Sequence, residues 1–126
     1  MREILFRGKR IGNGEWVYGN YAHTDCYPKC NDYIGQNVID RPIIPKTLGQ
    51  YTGLIDKNGK KVFEGDIIRN TDDNNIAVVS WYEEHAAFML YIKKQNKIYF
   101  LYDNNFKLIE VIGNIHDNPE LLKEHD

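Results

Sequence analysis

The chain alternates short apolar stretches with turn-forming residues along most of its length. Arg2-Glu3-Ile4-Leu5-Phe6-Arg7 reads as a first strand. Gly12-Asn13-Gly14 reads as a turn, because Gly and Asn accept positive φ. Trp16-Val17-Tyr18 returns, so 2–18 is expected to be a hairpin. Residues 19–37 lose the alternation and collect the turn formers Gly19, Asn20, Pro28, Asn31, Asp32 and Gly35. Val38 to Ile44 is extended again, with Pro42 and Pro45 confining it to an edge or an irregular strand.

The second half is more regular. Gln50–Ile55 and Lys61–Phe63 flank the turn Asp56-Lys57-Asn58-Gly59-Lys60, whose Asn-Gly pair suits a tight hairpin. Glu64-Gly65-Asp66 leads into Ile67-Ile68-Arg69, and Thr71–Asn75 is a polar loop. Ile76–Tyr82 places Ala77, Val79 and Trp81 on one face, and the next strand does the same with Phe88, Leu90 and Ile92. Lys93–Lys97 turns the chain, Ile98, Phe100 and Tyr102 alternate, Asp103-Asn104-Asn105 turns it again, and Phe106–Ile112 is a last long strand. Short strands with turn signals at this spacing indicate an antiparallel barrel or sandwich. Asn118-Pro119-Glu120-Leu121-Leu122 reads as a short helix, with Asn118 capping its first turn and Pro119 at the first helical position.

Composition agrees. Aromatics make up 13% of the 126 residues, nine of them Tyr, which favours strands. Two cysteines cannot build a disulfide scaffold. There is no apolar run of the ~20 residues that a membrane-spanning helix needs, and the charged, alternating start is unlike a signal peptide. A cytoplasmic protein without membrane partners is expected. The net charge of −2 argues against a strongly cationic nucleic-acid binder. Charge is nonetheless uneven, +4 over residues 1–63 and −6 over residues 64–126, which suits head-to-tail association or a basic face.

Leu48-Gly49-Gln50-Tyr51-Thr52-Gly53-Leu54-Ile55-Asp56-Lys57-Asn58-Gly59-Lys60-Lys61-Val62-Phe63-Glu64-Gly65-Asp66-Ile67-Ile68 resembles the core motif of the YopX-type phage and prophage protein family. Met1–Arg7 and Val111-Ile112-Gly113-Asn114-Ile115-His116-Asp117-Asn118-Pro119-Glu120-Leu121-Leu122 look like that family's start and end. The resemblance implies a mainly β protein with an SH3-like barrel over about residues 50–117. An N-terminal β segment with an irregular loop (1–49) would precede it, and a short C-terminal helical tail (118–126) would follow. It implies an origin in a temperate phage or integrated element, and carries no reaction and no catalytic residues. Gly53, Gly59, Gly65 and Gly113 belong to the motif as structural positions. Glu64 and Asp66 read as turn residues, Asp66 bonding nearby amides at the entry to the Ile67-Ile68 strand.

Candidate chemistry is sparse. His23-x2-Cys26-x3-Cys30 has zinc-like spacing, but a closed site needs four ligands and no second Cys pair exists. Free thiols, no metal and no cofactor are therefore expected. Glu83-Glu84-His85 pairs carboxylates with an imidazole, as acid–base chemistry requires, yet reads as a polar hairpin turn. His116-Asp117 reads as linker. Trp16 and Trp81 are expected to serve the core. Small barrels bind nucleic acid through exposed aromatics and basic residues. Candidates here are Arg2, Arg7, Lys9 and Arg10, then Lys57, Lys60 and Lys61, and a third cluster of Lys93, Lys94 and Lys97. The reading that follows is a non-enzymatic binding or assembly module that partners itself as a homo-oligomer. The alternative is a nucleic-acid-binding module in phage replication or regulation, and a host or phage protein is a further partner class.

Overall fold

The computed structural model describes residues 3–23, 32–35, 42–100 and 108–123. The protein is mainly β, with ten strands among the described residues, two antiparallel sheets and one short helix. It divides into two compact units, residues 1–51 and 52–126.

In the first unit, β1 (Phe6–Lys9) pairs with β2 (Trp16–His23) in the register Phe6↔Gly19 to Lys9↔Trp16. β2 pairs in turn with β3 (Asp32–Gly35), from Asn20↔Gly35 to His23↔Asp32. β1 also pairs with the first residues of β4 (Gly49–Ile55), Phe6↔Gln50 and Arg7↔Gly49. β2 therefore runs five residues beyond the expected Tyr18. Gly19 and Asn20 adopt extended backbone there because β1 and β3 flank them, and tertiary pairing overrides their turn preference. The core is Val17, Ile34 and Ile43, with Phe6, Tyr21 and Leu48 packed against it. Ile43 enters through an isolated bridge to Arg10 and fills the space a side chain at position 8 would need. A Cβ on Gly8 would meet Ile43 Cδ1 at 2.7 Å. Pro45–Thr47 forms a 3-10 turn rather than a strand end, with the buried Thr47 hydroxyl accepting from the Lys9 amide (2.9 Å) and donating to the Ile44 carbonyl (2.6 Å). Part of the expected 38–44 segment, the Tyr102 alternation and the 103–105 turn lie outside the described residues.

The second unit opens on the β4–β5 hairpin, β5 being Lys61–Phe63. Its sheet runs β10-β6-β7-β8-β9, formed by β6 (Asp66–Asn70), β7 (Ile76–Tyr82), β8 (Ala87–Ile92), β9 (Lys97–Phe100) and β10 (Ile109–Asn114). Among the described residues β9 and β10 do not pair with each other, so they do not close a barrel. The period-two pattern places Ile68, Ala77, Val79, Leu90 and Ile109 on one face, where they form a core with Val62. Leu54, Phe88, Ile92 and Val111 pack around it.

Two buried carboxylates tie this unit together. Asp56 Oδ1 accepts the amides of Asn58 (2.9 Å) and Lys60 (2.8 Å), and its Oδ2 accepts the amide of Val111 (2.9 Å), 55 residues away. The Lys57 amide donates to the Ile109 carbonyl beside it (3.0 Å). One side chain thus closes the β4–β5 turn and anchors it to the outer edge of β10. Asp66, 1% exposed, accepts the Phe63 amide at 2.7 Å. Gly65 makes the turn between them at φ +92°, donating to Val79 and accepting from Ile115.

At the end of β10 the register shifts by one residue between Val111 and Gly113. A Cβ on Gly113 would lie 2.6 Å from Asn118 Oδ1. That oxygen faces the Asn114 amide (3.2 Å). The Asn118 side chain therefore reaches back to the strand instead of capping the helix, which differs from the sequence expectation. The helix, α1, is Glu120–Lys123. No helix among the described residues is long and apolar enough to cross a membrane.

Burial pushes the Asp56 carboxyl up, but the amides of Val111, Lys60 and Asn58 outweigh it and hold the group below its ordinary value of 3.8. Asp56→Ala leaves those amides without their acceptor and is expected to cost about 2–4 kcal/mol of unfolding free energy at neutral pH. A carboxyl whose folded value is depressed adds stability above its ordinary value, and that stability is lost as pH falls through the folded value. The gap between the native protein and Asp56→Asn, measured by urea unfolding, is therefore expected to shrink as pH drops below 3.8.

Candidate functional site

Two of the N-terminal basic residues, Arg7 and Lys9, converge on Trp16. Alternation along β1 puts Arg7 and Lys9 on one face, and Lys9 is opposite Trp16 across the hairpin. The Arg7 guanidinium lies 4.7 Å from the Trp16 ring centre and the Lys9 ammonium 5.6 Å. Cation–π contacts of this kind contribute roughly 0.5–2 kcal/mol. Arg7 is only 5% exposed, and Arg10 is half-buried in the bridge to Ile43. This cluster thus packs around an indole in the first unit. Lys57, Lys60 and Lys61 are exposed on the β4–β5 turn and the start of β5. Arg2 lies outside the described residues.

His23 ends β2, and its strand partner is Asp32. The Tyr21 hydroxyl donates to Asp32 Oδ1, which also lies 3.0 Å from His23 Nδ1. Burial, then the bond to the carboxylate, pushes the Tyr21 hydroxyl up to about 12. The Tyr21 bond, then that of His23, holds Asp32 below its ordinary range. Tyr21 itself packs against Phe6, ring centres 5.7 Å apart. The result is a polar latch between β2 and β3. Cys26 and Cys30 lie outside the described residues, among which no group of three or more metal-ligating side chains occurs.

The remaining candidates fall mainly in turns. Gly53 and Gly59 sit at positive φ and Glu64 is half-buried. Glu83–His85 forms an exposed 3-10 turn between β7 and β8, with Glu83 accepting from the Trp81 indole (3.2 Å). Trp81 is 41% exposed and packs edge-on against Phe88, ring centres 5.1 Å apart. The sequence places it on the correct face, but the strand pair extends past the core, so the indole is not buried.

One concave feature was not evident from the sequence. A cavity of about 240 Å³ opens on the core face of the second unit. Its floor is Ile68, Ala77, Leu90, Ile92 and Ile109, and its rim is Asn70, Asp73, Asn75, Gln95 and Tyr99. Asp73, Asn75 and Gln95 of the rim come from the β6–β7 and β8–β9 connections, which read as simple polar turns, Asn70 from the end of β6 and Tyr99 from β9. The strand pairing of β6, β7, β8 and β9 brings them to one place. A second depression of about 180 Å³ shares Asp73 and Asn75 and is also lined by Lys93, Lys94 and Leu122.

With this geometry in place, the chain matches the family model described as YopX protein over residues 5–123. It belongs to the YopX protein family. It is also similar to a solved structure, the crystal structure of protein EF1440 from Enterococcus faecalis. The identity is 21% and the TM-score 0.53, over 97% of this chain and 99% of that one. At this identity the likeness is one of fold. No curated protein matches. The stretches that resemble the YopX family carry the structural ties: Asp56, Gly65 and Asp66 in the central motif, and Gly113 with Asn118 in the closing one. The rim of the cavity lies outside both stretches.

The two supports of Asp32 can be measured. Tyr21→Phe removes the largest single stabiliser of the carboxylate and is expected to raise the Asp32 midpoint toward 3.8, the ordinary value. His23→Ala removes the second bond and the histidine's charge and is expected to raise it as well. Carboxyl carbon NMR across an acid titration reads both, and an unchanged midpoint in either variant would contradict the latch.

Proposed function

We propose that this YopX-family chain is a non-enzymatic binding or assembly module that self-associates. It would serve a phage or prophage in the cytoplasm of the bacterial host. The observation that carries self-association is the difference between the two edges of the second sheet. The outer edge of β10 is occupied: the Ile109 carbonyl takes the Lys57 amide and the Val111 amide goes to Asp56. The outer edge of β9 has no strand beside it among the described residues, and Ile98 and Tyr99 on it are 45% and 39% exposed. An edge strand with apolar side chains is a template for another strand. A second copy of the same edge, running antiparallel, gives a two-fold interface. Lys97 at one end of this short strand restricts the pairing to few registers.

The buried carboxylates support the non-enzymatic part. Asp56 and Asp66 accept from backbone amides, so they serve the fold rather than acid–base work. The phage context rests on the motif resemblance.

Sedimentation velocity over a rising concentration series is expected to show a dimer or larger species. Ile98→Lys should shift it to monomer while leaving Tm within a few degrees of the native value. A native protein that stays monomeric at the highest concentration would sink the self-association reading.

A further inference from the structure

We propose that the cavity of the second unit binds one nucleotide unit, with its base on the apolar floor and its phosphate at Lys94. This inference does not depend on self-association.

Sites that enclose a drug-sized ligand run about 300–1,000 Å³. At about 240 Å³ this one takes a ring system the size of a base and leaves the rest of the ligand outside. Ile68, Ala77, Leu90 and Ile109 at the bottom belong to the core cluster and are 1–5% exposed. Half-buried Ile92 completes the floor and offers its side to a flat heterocycle. Tyr99 adds an exposed aromatic ring at the rim, the side-chain type on which bases stack.

Asn70 Oδ1 accepts the Asp72 amide (2.9 Å), and Gln95 Oε1 accepts the Tyr99 hydroxyl (3.0 Å). Each internal bond uses the carboxamide oxygen and leaves an NH2 group. The Asn75 amide on the main chain donates to Asp73 Oδ1 (2.9 Å), while the Asn75 carboxamide forms no hydrogen bond among the described residues. The rim therefore offers several donors and one full acceptor-donor pair around an apolar floor. The edges of a base need this combination, whereas a purely apolar ligand would leave these groups unmatched.

Among the described residues, the ionised group on the rim is Asp73, which borders both depressions. Beyond it lie the exposed Lys93 and Lys94. A sugar crossing the shared border would present its hydroxyls to the Asp73 carboxylate, and a phosphate would follow at the lysines. The sequence is then base, sugar, phosphate, across two depressions that share Asp73 and Asn75.

The same unit occurs as a free nucleotide and within a single-stranded nucleic acid, and the experiment separates the two. The full chain is titrated with AMP, GMP, CMP and UMP, with the matching nucleosides, and with a short single-stranded oligonucleotide. Amide NMR is the readout. The proposal expects saturable shifts of the Asn70, Asn75 and Gln95 side-chain amides with at least one mononucleotide. Asn75→Ala should weaken that binding about tenfold. Lys94→Ala should bring the nucleotide down to the affinity of its nucleoside and leave nucleoside binding unchanged. An oligonucleotide that binds tighter than the mononucleotide, with affinity falling as salt rises, assigns the site to single-stranded nucleic acid. A mononucleotide that binds at least as tightly assigns it to free nucleotide. No saturable shift of the three amides with any probe at about 10 mM overturns the proposal, as does a Lys94→Ala variant that keeps full nucleotide affinity. The titration repeated on Ile98→Lys keeps the two readings apart, since loss of self-association leaves the cavity untouched.

Discussion

The second unit depends on one buried carboxylate. Asp56 is 5% exposed, and an unpaired ion at that burial would be strongly destabilising. It is tolerated because three backbone amides point at it, two from its own turn and one from β10. The turn and the distant strand cannot be placed independently, since moving either leaves the charge uncompensated. Neighbouring bonds extend the constraint. Asp66 ties the end of β5 to the start of β6, and the Thr71 hydroxyl and amide both donate to the Leu108 carbonyl where β10 begins. The Arg69 contact to Glu110 spans the same two strands from the outer side. Its arginine is 40% exposed and solvent screens it, so it counts for little beside the buried ties.

Much of this architecture was legible in the residues. Alternation along β7 and β8 puts the core face of Ala77, Val79, Leu90 and Ile92 where it is found. Legibility failed where a local preference was overruled or was ambiguous. Gly19 and Asn20 look like a turn in isolation and become strand only because β1 and β3 flank them. Asp56 looks like any hairpin aspartate, because a carboxylate facing solvent and one facing the Val111 amide have the same sequence signature. Asn118 has the right spacing for a helix cap, yet the missing side chain at Gly113 gives its carboxamide another position. The cavity was invisible for a further reason. Its rim is assembled from two connections and residues of β6 and β9 that meet only through the pairing of β6 to β9, and no local pattern encodes that meeting.

The Asp56 tie also explains why the two edges of the sheet differ. By occupying the outer side of β10, Asp56 and Lys57 remove that edge from intermolecular pairing, while among the described residues β9 has no strand on its outer side. Strand alternation then separates the two roles assigned to β9. Tyr99 is opposite Leu90 and shares the core face with the cavity, whereas Ile98 is opposite Tyr91 and points to the other face. A second copy engaged through the Ile98 side and the backbone edge therefore need not cover the cavity floor.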